Sequence, residues 1–325
     1  MTPLLLAPLE LLYGSLVRAR NARFDRRPAQ RLLWPVISIG NLSVGGSGKT
    51  PLVICLADLL QREGLHPDVL SRGYGRSSHA VERVDSFGSA EHFGDEPLLI
   101  TQATGVPVYV GANRYEAGKL AERELESPGI HLLDDGFQHR QLARSLDIVL
   151  IHRSDLQQRL LPAGRLREPL SSLGRANVVV LRQQDAELES ALRPYVSNEC
   201  RFWHVRRTLA PKIPSERAVA FCAIARPREF FDGLTAVGVG IAERISFRDH
   251  HRYRMADIER LAKLGRRAGC DAFVMTAKDE VKLDPAMRAR LNEVAPLSAA
   301  ALTVELEDDR AALDLMRKSL IVTAR

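Results

Sequence analysis

Residues 40–51 read Gly-Asn-Leu-Ser-Val-Gly-Gly-Ser-Gly-Lys-Thr-Pro and follow the apolar run Val36-Ile37-Ser38-Ile39. A buried strand, a glycine-rich turn and a helix start, in that order, form a cradle for nucleotide phosphates. Ser43, Val44, Gly45, Gly46, Ser47 and Gly48 supply backbone N–H groups for phosphate oxygens, an approach that larger side chains would block. Lys49 offers a point charge to the β and γ phosphates, and the Thr50 hydroxyl can hold a magnesium ion. The strict pattern has Gly five residues before Gly48, where this chain has Ser43. Gly45 and Gly46 are placed to compensate. The plainer alternative is a glycine-rich turn ahead of an ordinary helix.

Further clusters could do chemistry. Ile130-His131-Leu132-Leu133-Asp134-Asp135-Gly136 is an apolar strand ending in two carboxylates. Such a strand end puts acid groups near the magnesium of a phosphate site. Adjacent side chains diverge, so one Asp can take metal while the other serves a different partner. A capping pair at a turn is the structural alternative. In Gly94-Asp95-Glu96-Pro97, Asp95 reads either as a helix N-cap or as a carboxylate that accepts the proton of a substrate hydroxyl. Ser71-Arg72-Gly73-Tyr74-Gly75-Arg76 follows a strand, at the edge where ligands bind in open α/β sheets. Its arginines suit bidentate phosphate recognition, or else the loop is simply solvated. Asp249-His250-His251 beside Tyr253 is a titratable cluster. Leu161-Pro162-Ala163-Gly164-Arg165-Leu166-Arg167-Glu168-Pro169 is a further charged loop. Thr276-Ala277-Lys278-Asp279 has the wrong spacing for a guanine-reading motif, which places one residue between Lys and Asp.

The elements that must position these residues alternate. Strands are expected at Pro35 to Ile39, Asp68 to Ser71, Val106 to Val110, Ile130 to Leu133, Leu146 to Ile151 and Asn177 to Leu181, with a helix from Arg114 to Glu126. Leu52, Leu56, Leu59 and Leu60 share one face of the helix after the glycine-rich turn, and Gly64 ends it. Intervening helices make the strands parallel. The polar, Pro-punctuated stretch from Arg182 to Glu216 reads as a linker. A second α/β block opens at Ala218, with a helix near Ala256 to Ala268, a strand at Asp271 to Thr276, a helix near Pro285 to Asn292, a strand at Ala299 to Val304 and a last helix from Asp309. The expected fold class is α/β: a P-loop-containing, doubly wound parallel sheet, a second, smaller α/β domain and an N-terminal amphipathic helix. The expected boundaries are 1–30, 31–205 and 206–325.

A chain of 325 residues with 45% hydrophobic and 26% charged content is ordinary for a globular protein of about two domains. Net charge is +6, and residues 1–31 hold +4 of it through Arg18, Arg20, Arg23, Arg26, Arg27 and Arg31 against Glu10 and Asp25. That basic excess sits among leucines rather than aromatics, which disfavours nucleic acid as a partner. Leu5, Leu9, Leu12 and Leu16 fall on one helical face ahead of the arginines. The pattern fits a helix resting on an anionic leaflet, or one packed on its own domain. Pro8 and Glu10 interrupt it, so it is too short to span a bilayer, and it lacks the marks of a signal peptide. Cys55, Cys200, Cys222 and Cys270 lie far apart and read as core thiols of a reducing compartment.

Taken in order, these motifs resemble the tetraacyldisaccharide 4′-kinases, the lipid A 4′-kinases of Gram-negative bacteria. The resemblance runs from the apolar N-terminus through Gly-Asn-Leu-Ser-Val-Gly-Gly-Ser-Gly-Lys-Thr-Pro, Ser-Arg-Gly-Tyr-Gly-Arg, Gly-Asp-Glu-Pro, Asp-Asp-Gly-Phe-Gln-His and Leu-Pro-Ala-Gly-Arg-Leu-Arg-Glu-Pro to Phe-Arg-Asp-His-His. It implies transfer of the ATP γ-phosphate to the 4′-hydroxyl of a tetraacylated glucosamine disaccharide 1-phosphate. It also implies a peripheral enzyme at the cytoplasmic face of the inner membrane, using ATP and Mg2+ on a glycolipid substrate. By the same resemblance Lys49 and Thr50 serve ATP and magnesium. Asp95 is the catalytic base assisted by His250, with His251 as the neighbouring alternative. Asp134, Asp135 and Glu168 form the acidic set, with Asp134 and Glu168 on the metal and Asp135 in catalysis. Asn41, Arg72, Tyr74, Arg76, Gln138, His139 and Arg167 face substrate. The family often has Glu where this chain has Ala277. Two other readings stand beside this one: a phosphate-cradle kinase of a soluble sugar or cofactor, and a nucleotide-driven membrane switch. Oligomeric state is not legible.

Overall fold

A computed structural model describes residues 6–322. Leu4 and Leu5, part of the apolar N-terminus, lie outside the described residues. The first half runs α1 (Ala7–Asp25), β1 (Val36–Asn41), α2 (Lys49–Arg62), β2 (Pro67–Ser71), β3 (Glu82–Arg83), α3 (Ala90–Phe93), α4 (Asp95–Thr104), β4 (Val108–Val110), α5 (Arg114–Glu124), β5 (Ile130–Asp134), β6 (Leu146–Leu150) and β7 (Val178–Arg182). The second runs α6 (Leu188–Leu192), β8 (Arg201–Pro211), β9 (Ala218–Cys222), α7 (Pro227–Ala236), β10 (Ile241–Ser246), α8 (Met255–Ala268), β11 (Phe273–Thr276), α9 (Ala277–Glu280), α10 (Pro285–Asn292), β12 (Leu297–Leu306) and α11 (Asp309–Val322).

All twelve strands join one sheet in the order β10-β9-β11-β12-β8-β7-β6-β1-β5-β2-β4-β3. Pairing is parallel except at β3–β4 and β8–β12. β1 is fully buried between β5 and β6. Ile37 and Ile39 pack with Leu52 and Leu56 of α2, while Val36 packs with Leu70, Leu133 and Ala117 in a second cluster. A strand covered on both faces reads as a continuous apolar run, which is why β1, β5 and β6 were visible in the sequence. Leu52, Val53, Leu56, Leu59 and Leu60 of α2 are buried at helical spacing. Each contributes about 1.5–3 kcal/mol by leaving water, so Leu56→Ala would cost about 2–5 kcal/mol.

The expected linker from Arg182 to Glu216 is corrected by β8. That strand pairs in parallel with β7 and antiparallel with β12, so the sheet passes unbroken from one half to the other. Trp203 and Val205 are buried at alternate positions, but Arg201, His204, Arg206 and Arg207 dilute the apolar signal. The four cysteines are unpaired, with Cys200 and Cys222 buried. Among the described residues no helix is long and apolar enough to cross a membrane.

Candidate active site

The glycine-rich loop leaves β1 and enters α2 through Gly48, whose φ of 86° belongs to the left-handed region that glycine alone occupies freely. The Leu161–Pro169 loop lies antiparallel on it: Val44 N–H donates to the Arg165 carbonyl at 2.8 Å and Arg167 N–H to the Leu42 carbonyl at 2.7 Å. That pairing carries the Arg167 side chain into the site. Lys49 Nζ lies 3.1 Å from Asn41 Oδ1 and 3.4 Å from Asp135 Oδ1. Arg167 grips Asp135 with two hydrogen bonds, at 2.9 and 2.8 Å, and also donates to Asn41 Oδ1.

Asp134 and Asp135 differ sharply. Asp134 ends β5, fully buried, and accepts from Ser71 Oγ at 3.1 Å through Oδ2, while its Oδ1 has no partner. Burial, with Glu96 and Asp135 adding like charge, pushes its carboxyl up to about 7 against the pull of Lys49. Asp135 has φ of 50°, which swings its side chain toward the cations. Burial opposes its charge, but Lys49 and Arg167 outweigh that and hold it well below the usual carboxylate range.

Asp95 opens α4 and meets the second half of the chain. Its Oδ2 lies 3.0 Å from His250 Nδ1 and 3.7 Å from Lys278 Nζ, and its Oδ1 accepts Glu96 N–H at 3.0 Å. Burial pushes this carboxyl up, but the His250 hydrogen bond and the Lys278 charge prevail and hold it at about 2. The Tyr74 ring stands 5.0 Å from the His250 ring. Arg252 donates to the Gly75 carbonyl at 2.6 Å and pairs with Glu91 at 3.0 Å. A cleft of about 530 Å³ opens here, lined by Tyr74, Asp95, His250, Arg252 and Lys282 among others. His251 turns elsewhere, with Nε2 3.0 Å from Asp257 and its ring stacked on Phe247.

Three residues expected at the metal or the substrate are held by the protein's own groups. Glu168 is fully buried and both its oxygens are occupied, Oε1 by Arg20 at 3.3 Å and Oε2 by Asn21 at 3.0 Å and Arg175 at 2.9 Å. It ties α1 to the Arg165–Glu168 loop. Asn41 is buried, with its amide nitrogen on the Ser43 carbonyl at 2.8 Å and its Oδ1 held by Lys49 and Arg167, so it braces the cradle rather than facing substrate. Arg76 bends back to Glu82 at 3.3 Å and the Ala80 carbonyl at 2.7 Å, with a side chain only 5% exposed. It shapes its own loop. Arg72 is exposed beside it. Gln138 donates to the Asn41 carbonyl at 2.9 Å, and His139 Nε2 is buried without a partner. Burial, then the charges of Arg114, Arg144 and Arg72, push His139 down to about 4.

Two residues here were given no role from sequence. Arg114, at the start of α5, is buried with an unpartnered Nε. Burial and Arg72 push its guanidinium down to about 10, while Asp135 and Asp134 pull the other way. Lys278 reaches α4 from the far half of the chain. The only available signal was Lys278's place in a motif that matched nothing else.

The family model described as tetraacyldisaccharide-1-P 4′-kinase matches residues 2–320. The chain belongs to this family. A tetraacyldisaccharide 4′-kinase of Koribacter versatilis is 46% identical over 322 residues, covering 94% of this chain and 96% of the relative. One from Geobacter metallireducens is 38% identical over 326 residues, covering 94% and 95%. The crystal structure of LpxK from Aquifex aeolicus in complex with ATP matches with a TM-score of 0.78 at 32% identity, over 98% of this chain and all of that one. Membership in the 4′-kinase family makes this chain a kinase of lipid A biosynthesis that uses ATP, and the two competing readings lose their support.

Proposed function

We propose that the protein transfers the γ-phosphoryl group of ATP to the 4′-hydroxyl of a tetraacylated glucosamine disaccharide 1-phosphate, giving lipid IVA. The Asp95–His250 pair at 3.0 Å, in a chain of this family, carries the reading. Asp95 takes the hydroxyl proton as the sugar oxygen bonds to the γ-phosphorus. The bond from that phosphorus to the bridging oxygen breaks, and ADP leaves with the electron pair. His250 Nδ1 donates to the carboxylate and keeps it oriented. Lys49, held by Asn41 and Asp135, is ready to move to phosphate oxygens, and Arg72, Tyr74, Gln138, His139 and Arg167 surround the acceptor.

Magnesium fits the residues present. The orphaned Asp134 Oδ1 is a buried carboxylate oxygen lacking a cation, and Thr50 begins α2. Among the described residues there is no group of three His, Cys, Asp or Glu side chains able to cage a metal, which suits an ion bound largely through phosphates. Thr50 and Asp134 would hold it. When bound, magnesium neutralises charge on the β and γ oxygens.

α1 supports placement at the cytoplasmic face of the inner membrane. Leu9, Leu11, Leu12 and Leu16 are exposed, while Gly14 and Val17 pack inward. Arg18, Arg20 and Arg23 follow on the same helix. Residues 1–30, 31–205 and 206–325 then act as membrane helix, nucleotide-binding half and the half that delivers His250. The test is an incubation of protein, labelled ATP, magnesium and disaccharide monophosphate lipid in detergent. Label on the sugar is expected, and Asp95→Ala should abolish it while ATP still binds. Turnover at the wild-type rate by Lys49→Ala would overturn the proposal.

A further inference from the structure

The Thr276-Ala277-Lys278-Asp279 motif has no part in the steps above, yet it is held rigidly. Thr276 caps α9: its Oγ1 accepts Asp279 N–H at 3.1 Å and donates to Asp279 Oδ2 at 2.6 Å. Asp279 is fully buried and also accepts Ala223 N–H at 3.1 Å. This cap aims Lys278 at α4. Lys278 Nζ stands 2.9 Å from Glu96 Oε1, 3.4 Å from His250 Nε2 and 3.7 Å from Asp95 Oδ2.

An ammonium has three protons and no lone pair. Where it meets an imidazole nitrogen at hydrogen-bond range, that nitrogen must accept. His250 Nε2 is therefore bare, and the ring proton sits on Nδ1, facing Asp95 Oδ2 at 3.0 Å. We propose that Lys278 is a positioning residue for the Asp95–His250 pair, fixing His250 as the neutral Nδ1–H tautomer so that it always donates to Asp95. This rests on the reading of Asp95 as the proton acceptor. The other groups around the ring do not replace Lys278. Asp249 Oδ1 is 4.0 Å from Nε2, beyond hydrogen-bond range. Glu96 holds Lys278 rather than the ring, Tyr74 presents an aromatic face, and Lys282 acts on Asp95 only through its charge. Burial works against the Lys278 charge, but Glu96 and Asp95 more than restore it, so it stays an ammonium.

Histidine-labelled 15N NMR of the ligand-free protein near neutral pH reads the tautomer directly. The wild type should show His250 protonated at Nδ1 and bare at Nε2, and Lys278→Arg should keep that pattern. Lys278→Met should lose it, populating the Nε2–H or doubly protonated ring. In kinetics, Lys278→Met should lower kcat by about 10- to 100-fold through misorientation, with KM for ATP unchanged. The acid limb of its kcat/KM profile should move up by roughly one to three pH units as Asp95 loses a cation. A merely structural lysine would move neither tautomer nor profile. A wild-type ring protonated at Nε2 overturns the proposal, and so does Lys278→Met with an unaltered spectrum and profile. Should Lys278→Met fail to fold, Lys278→Ala is read in its place: loss of the wild-type pattern is expected, and an unaltered spectrum and profile overturn the proposal. A wild type unable to phosphorylate the lipid would refute the kinase reading and leave the tautomer result standing.

Discussion

Replacing Glu168 with Gln separates the metal-ligand role implied by the resemblance from the bracing role that its contacts support. As a metal ligand it would govern magnesium affinity and leave the fold alone. As a brace it would govern stability. Its side chain is 0% exposed and meets Arg20, 44% exposed, and Arg175, 23% exposed. Burial raises its carboxyl, but Arg175 and Asn21 outweigh that, so it is charged at neutral pH. Removing one member of a buried ion pair costs about 3–5 kcal/mol because a charge is left uncompensated. Arg20 can turn to water, and Arg175 keeps the face of Phe137, 4.4 Å from its ring centre. The cost therefore belongs at the lower end, about 3 kcal/mol. With an unfolding entropy of roughly 2.1 cal/mol/K per residue over 325 residues, Tm should fall by about 4 °C. Arg167 is the preceding residue, so kcat should drop about ten-fold as it loses its seat. The assay is thermal unfolding without nucleotide, alongside a magnesium titration of activity. A variant with native Tm and weakened magnesium dependence would refute the brace and restore the metal ligand.

Asp135→Asn leaves Lys49 and Arg167 facing each other without their shared anion. Urea unfolding at pH 7 should show a lower midpoint, and an unchanged midpoint would contradict the site's charge arrangement. His131, with 0% of its side chain exposed, sits 2.8 Å from Asp68 and 3.4 Å from Glu122 at the other end of the strands. Burial lowers its pKa, but those carboxylates more than reverse this and raise it from 6.5 to about 9. A raised folded value means the contribution is complete below pH 6.5 and lost as pH passes about 9, worth up to about 3 kcal/mol. Burial pushes Asp68 up as well, which reduces the total without moving that window. Denaturation series at pH 6, 7.5 and 9.5 check it, and a flat profile would count against the buried ion triad. Leu12→Gln with Leu16→Gln should release the protein from anionic vesicles and leave Tm nearly unchanged, since both side chains are exposed.

What could be read in the sequence followed burial. β1, β5 and β6 are covered on both faces, so their apolar runs announced them. The glycine-rich turn and the Asp134-Asp135 pair read as a phosphate site because few other structures need those residues there. β8 and β10 stayed hidden because each leaves much of its surface in water and carries charge among its apolar positions. The role of Glu168 was hidden for another reason. Its partners Arg20 and Asn21 lie 148 and 147 residues away, and no local pattern records such a pairing. Lys278 and Glu96, 182 residues apart, are the same case.

Asp134 and Asp135 show why a catalytic site needs two adjacent carboxylates rather than one. Two neighbours of like charge, one buried and one half-buried, cannot both ionise cheaply. The turn at Asp135, with its φ of 50°, costs about 1–2 kcal/mol for a side chain other than glycine. In return it sends one carboxylate to Lys49 and Arg167 and leaves the other at the end of β5. Asp135 is thereby saturated with cations and stays charged, fixing Lys49 in place. Asp134 is short of them, with an oxygen facing no donor. A strand continuing straight would give both carboxylates to opposite faces of the sheet, where neither could do the other's work. The asymmetry thus comes from a single backbone dihedral. It leaves the site with one carboxylate already neutralised by protein and one waiting for a charge brought in from outside.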